Sequence, residues 1–128
     1  MADVALPRES AGPDPAGVLS RAVVRAARLL GLTQREMARM LGVSDATASR
    51  LFAGHYRLDV ARGKEWELAR LFVRFYRSLD ALWGHEASAR LWLESPNLAL
   101  AARPIELIVT IEGLVRVVGY LDAARGRV

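Results

Sequence analysis

Arg50 follows a run of short side chains, Ser44, Asp45, Ala46, Thr47 and Ser49. One guanidinium among small residues suits a surface that meets nucleic acid. Short side chains let the backbone approach base edges, while the planar fork of Arg can grip guanine or phosphate. With Gln34 upstream and Arg57 downstream, the candidate DNA contacts are Gln34, Ser44, Asp45, Ala46, Thr47, Ser49, Arg50 and Arg57. His55 shares the loop with Arg57, but a lone loop histidine is more often simply exposed. Little else in the chain points to chemistry. There is no cysteine, and the second histidine, His85, is distant in sequence. With no phosphate-cradling glycine loop either, neither an enzyme nor a metal or cofactor is expected. Glu65, Glu67 and Asp80 are expected on a helix surface.

The elements that must position these residues lie in 32–52. Thr33 with Glu36 has the spacing of a capping box, each side chain reaching the other's backbone amide. Met37, Ala38 and Leu41 recur as one inward stripe, and Gly42 supplies the left-handed conformation that ends a helix without steric penalty. Ser44 offers a second cap. In the helix it opens, Ala48, Leu51 and Phe52 fall on one face and Ala46, Ser49, Arg50 and Ala53 on the other. Two ordinary core helices could carry the same caps. The small Ala38 at the crossing, the short turn 42–44 and the apolar Leu51 together favour a helix-turn-helix.

Around this motif the chain reads as all-helical, with no period-two strand pattern and no internal repeat. Residues 1–17 hold Pro7, Pro13, Pro15, Gly12 and Gly17 and few bulky apolar groups, the composition of a flexible arm. In 18–30, Leu19, Val23, Ala26, Ala27 and Leu30 form a stripe with Arg21, Arg25 and Arg28 outside as a solvated face. Residues 64–83 form a long amphipathic helix, with Trp66, Ala69, Leu71, Phe72, Phe75, Tyr76, Leu79 and Leu82 apolar. That face is wide enough to support two halves or a subunit contact. A short helix over 86–93 and a connection over 98–103 follow. Pro104 is placed to open a brief helix, and Thr110 to cap a last one over 111–124. The expected organisation is an arm (1–17), a helix-turn-helix bundle (18–62) and a second small helical domain (63–128).

A chain of 128 residues, 52% hydrophobic and 25% charged, can bury a core as one domain or as two sharing it. Its formal charge of +4 is carried almost wholly by arginine, Lys64 being the one lysine, which favours polyanionic partners. No apolar run is long enough to span a bilayer and the first ten residues lack an export pattern, so a cytoplasmic protein without membrane contact is expected. One recognition helix covers few bases, so a homodimer on double-stranded operator DNA is expected too.

From Leu79 onward the chain presents ordered landmarks: Trp92-Leu93, Pro96-Asn97, Leu100, Pro104-Ile105-Glu106-Leu107, Thr110, Gly113, Val117, Leu121 and Gly126. In this order, behind an Xre-like helix-turn-helix, they resemble the toxin-binding C-terminal domain of the Xre/MbcA/ParS-type antitoxins. Ala101 and Ala102 stand where that family usually has glycines, and Ile111-Glu112 replaces a more acidic pair. The resemblance implies an antitoxin that inhibits a RES-domain toxin acting on NAD and represses its own operon. It further implies toxin contacts at Trp92, Pro96, Asn97, Arg103, Pro104, Glu106, Arg125, Gly126, Arg127 and Val128. Residues 125–128 are expected to form a tail free to reach outward, with Arg127 meeting a catalytic carboxylate or the carboxylate of Val128 entering an anion site. The competing reading is a free-standing regulator whose C-terminal helices dimerise or bind an effector.

Overall fold

Thr33 and Glu36 form the reciprocal pair that their spacing predicts. The Glu36 amide donates to Thr33 Oγ1 at 3.0 Å and the Thr33 amide to Glu36 Oε1 at 2.8 Å, so two amides that the first helical turn leaves open are satisfied. In the computed structural model, which describes residues 14–84 and 86–126, this cap opens the second of seven helices. They are α1 (Pro15–Leu30), α2 (Gln34–Leu41), α3 (Asp45–Ala53), α4 (Gly63–Trp83), α5 (Glu86–Glu94), α6 (Pro104–Leu107) and α7 (Ile111–Gly126). The described residues form no strand beyond one isolated bridge between Asn97 and Ala102, and the all-helical expectation holds.

The start of α1 corrects the expected arm at its C-terminal end. Asp14 accepts the Gly17 amide at 3.1 Å, and Pro15 takes the first helical position. Proline costs nothing there, because the amide it lacks would have no intrahelical partner. Residues 15–17 therefore belong to the helix, with Asp14 as its cap; residues 1–13 lie outside the described residues. The Gly17 amide, and after it the Arg57 guanidinium, hold the Asp14 carboxyl below its ordinary value. Gly17 is itself buried.

α4 organises the packing. It lies against α1, α2, α5 and α7, while α2 packs on α3 and α6 on α5 and α7. One continuous cluster of buried side chains runs from Val23, Met37 and Leu51 across Phe72 and Phe75 to Leu93, Leu114 and Leu121. The Phe72 and Phe75 rings are fully buried with centroids 6.0 Å apart. The broad apolar face of α4 is thus largely covered within the chain, which explains its width without a second subunit. Trp66, Leu71, Tyr76 and Leu82 remain half-buried at its margins. No described helix is long and apolar enough to cross a membrane.

Two polar side chains of α4 are buried, Glu65 against the expectation of a helix surface. Glu65 is only 9% exposed, and Ser78 is fully buried, its hydroxyl donating to Asp122 Oδ1 at 3.0 Å. Both fall on the inward side of α4 for one reason. Glu65 shares the i, i+3, i+4, i+7 stripe of Leu68, Ala69 and Phe72, all buried. Its charge suggested solvent, but its position dictates burial.

Candidate nucleic-acid and partner interfaces

The turn between α2 and α3 is made by Gly42 at φ +72° and closed by the Val43 amide on Ala38 O at 3.0 Å. Ser44 then caps α3, its hydroxyl accepting the Thr47 amide at 3.0 Å. The first turns of α2 and α3 lie side by side, as the exposed Arg35–Asp45 pair at 4.0 Å marks. On that side Gln34, Ser44, Asp45, Ala46, Ser49 and Arg50 are exposed and Thr47 is half-buried, while Ala48 and Leu51 point into the core. Seven of the eight candidate DNA contacts therefore belong to two adjoining helix starts and one exposed helix face. The eighth, Arg57, is exposed in the following loop but pairs with the Asp14 carboxylate, so it must exchange that partner to meet a phosphate.

Arg50 is not an unsupported side chain. Its Nη2 donates to Thr47 Oγ1 at 3.4 Å, and its guanidinium carbon lies 5.8 Å from the centre of the Tyr56 ring. Arg62 lies 5.9 Å from the same ring and donates to the Tyr56 hydroxyl at 3.3 Å. That hydroxyl is 2.9 and 2.8 Å from the two Glu65 carboxylate oxygens. Sequence reasoning overlooked Tyr56 and Arg62, and placed Glu65 on a helix surface. The position of Glu65 on the core stripe of α4 was the signal that could have raised the question of what its buried carboxylate binds.

The arginines of α1 are more engaged than a solvated face requires. Arg28 donates to the last-turn carbonyl Phe52 O of α3 at 3.1 Å and lies 5.7 Å over the Phe52 ring. Arg90 of α5 donates to Leu29 O at 2.8 Å and Arg28 O at 3.2 Å. These bonds satisfy carbonyls that helix ends leave open. They also tie the C-terminal half to α1, and α1 to the end of α3. A groove of about 830 Å³ runs beside them, lined by Arg21, Arg25, Arg28, Arg57 and Arg90 with Phe52 among the apolar walls.

In the C-terminal half, Trp92 is half-buried between Trp83, ring centroids 5.6 Å apart, and Tyr120, 6.3 Å away and stacked. Pro96 is exposed, whereas Asn97 turns inward and its Oδ1 accepts the Leu100 amide at 3.0 Å. Arg103 and Glu106 form an exposed pair at 3.0 Å across the first turn of α6, and Pro104 is buried at its start. Leu91, Leu98, Ile111 and Val115 add exposed apolar surface to this half. The expected tail is corrected: Arg125 and Gly126 complete α7, and Arg125 Nη1 donates to Ser78 Oγ at 3.0 Å. Continued helix and a buried hydroxyl acceptor hold Arg125 against the body. Arg127 and Val128 lie outside the described residues.

The alanines in the α5–α6 loop have a measurable consequence. Ala101 adopts φ +59°, a left-handed conformation that costs an L-residue roughly 1–2 kcal/mol and a glycine little. Ala101→Gly is therefore expected to stabilise the fold by up to about 1 kcal/mol, after the greater unfolded-state entropy of glycine is deducted. Urea denaturation checks this, and a loss of stability would show that the alanine methyl contributes packing.

Among the described residues, no group of three or more His, Cys, Asp or Glu side chains could hold a metal ion. Compared with known families, residues 9–74 match the model for the antitoxin Xre-like helix-turn-helix domain. Residues 78–127 match that for the antitoxin Xre/MbcA/ParS C-terminal toxin-binding domain. No curated protein matches the chain.

Proposed function

From the chain's membership of the Xre-like helix-turn-helix antitoxins, continued by an Xre/MbcA/ParS toxin-binding domain, we propose that it inhibits a RES-type, NAD-consuming toxin and represses its own operon as a homodimer on operator DNA. The observation that carries this reading is the union of an exposed, doubly capped helix-turn-helix face with a separate aromatic and apolar face on one continuous core. The first face suits base edges and phosphates. The second, with Trp83, Trp92, Leu91 and Leu98 at its surface, suits a protein partner, because aromatic side chains at the centre of a contact dominate its energy.

Co-expression with a RES-domain toxin tests the toxin half. The expected result is a co-purifying complex in which NAD loss, measurable with the toxin alone, is suppressed. Sedimentation of the antitoxin with and without operator duplex tests the dimer. A chain that binds a palindromic site, captures no RES-type protein and leaves its NAD turnover unchanged would be a free-standing regulator instead.

A further inference from the structure

Long side chains that read DNA bind more tightly when their geometry is set beforehand, because ordering them on contact costs conformational entropy. Arg50 carries four rotatable side-chain bonds and is exposed, so something must aim it. The candidate nearest to hand is Tyr56, in the loop directly after α3.

We propose that Tyr56 is the positioning residue of the DNA-reading face: its ring carries Arg50 and Arg62, and its hydroxyl is locked to the buried carboxylate of Glu65, so that this unit sets the base preference. The inference rests on the reading that the exposed face of α3 meets DNA, and adds to it residues from the loop and from α4.

Three features of the geometry converge on Tyr56. First, both guanidinium carbons lie within 6 Å of its ring centroid, at 5.8 Å for Arg50 and 5.9 Å for Arg62. That is the range in which a cation is attracted by an aromatic face. Second, the hydroxyl approaches both oxygens of a carboxylate that is 9% exposed. A buried carboxylate without a donor is costly, so the Glu65–Tyr56 bond is retained and fixes the ring edge. Third, Arg62, at the N-cap position of α4, donates a guanidinium N–H to the Tyr56 hydroxyl at 3.3 Å.

The charges favour DNA. Two guanidiniums and one buried carboxylate meet the same Tyr56 side chain, leaving a net positive unit beside the recognition helix. Burial, and then the Glu65 carboxylate, push the Tyr56 phenol above its ordinary value, so the hydroxyl remains a donor at neutral pH. Thr47 completes the positioning of Arg50 from its own helix, at 3.4 Å. The ring restrains the guanidinium from one side and the Thr47 hydroxyl contacts it from its own turn of helix.

The test measures binding of the full chain to duplex from the promoter of its own gene, and to single-base variants of that duplex, with melting temperature recorded for every protein. Tyr56→Leu removes both the ring and the hydroxyl. It is expected to weaken promoter binding about fivefold and to flatten the discrimination against base variants, while the protein remains folded. On an Arg50→Ala background the same change should alter discrimination no further. Tyr56→Phe keeps the ring and should retain more of the preference than Tyr56→Leu, and it remains informative if the leucine variant fails to fold. Wild-type base preference in folded Tyr56→Leu, alongside loss of preference in Arg50→Ala, would overturn the proposal and leave Arg50 acting alone. If Arg50→Ala also keeps full preference, the underlying reading of α3 is the part that fails, and the role of Tyr56 falls with it.

Discussion

Gly113→Ala is expected to destabilise the protein by about 2–4 kcal/mol, the largest single effect of the substitutions considered. Gly113 is the third residue of α7, and its backbone lies directly under the end of α6. A methyl group there would collide with Leu107 O and stand 2.7 Å from the Leu107 carbonyl carbon and 2.9 Å from Thr110 Oγ1. The Leu107 atoms are backbone, so no rotamer change relieves the clash. The carbonyl also accepts the Thr110 amide at 3.3 Å, and Thr110 Oγ1 caps α7 by accepting the Gly113 amide at 3.0 Å. Displacing α6 would thus disturb the cap of α7 and the burial of Pro104 and Ile108 together. Urea denaturation followed by circular dichroism measures the loss. Gly119 is the control: the space above it is open, and Gly119→Ala should stabilise the helix by roughly 0.5–1 kcal/mol. Equal effects at the two glycines would show that the α6–α7 junction gives way easily.

Arg50→Ala is expected to weaken operator binding by about 1–3 kcal/mol, roughly fivefold to a hundredfold, without unfolding the chain. Arg50 is exposed, and its protein contacts are a long hydrogen bond to Thr47 and the face of Tyr56, so the core loses nothing. The form of the loss identifies the contact. A bidentate grip on guanine predicts that affinity falls on operator more than on scrambled duplex. A phosphate contact predicts equal loss on both and a salt slope shallower by about one counterion. Titrations at several salt concentrations separate these outcomes, and unchanged operator affinity would remove Arg50 from the site.

The sequence by itself determined the elements and their ends. The capping box at Thr33 and Glu36, the Ser44 cap, the left-handed Gly42 and the proline start of α6 were legible because each depends on atoms within about one helical turn. The exposed face of α3 was legible for the same reason, since a period of 3.6 residues sorts side chains before any packing partner is known. At 15–17 the composition is that of an arm, yet the Asp14 cap and Pro15 start a helix there. What only the tertiary structure decided are the bonds that cross between elements. Glu65 meets Tyr56 across nine residues, Arg28 meets Phe52 across 24, and Arg125 meets Ser78 across 47. A buried carboxylate or hydroxyl takes its partner from whatever group the helix crossing brings within about 3 Å. That crossing is set by how the apolar faces of α1, α4 and α7 pack together, and no local pattern in the chain records it.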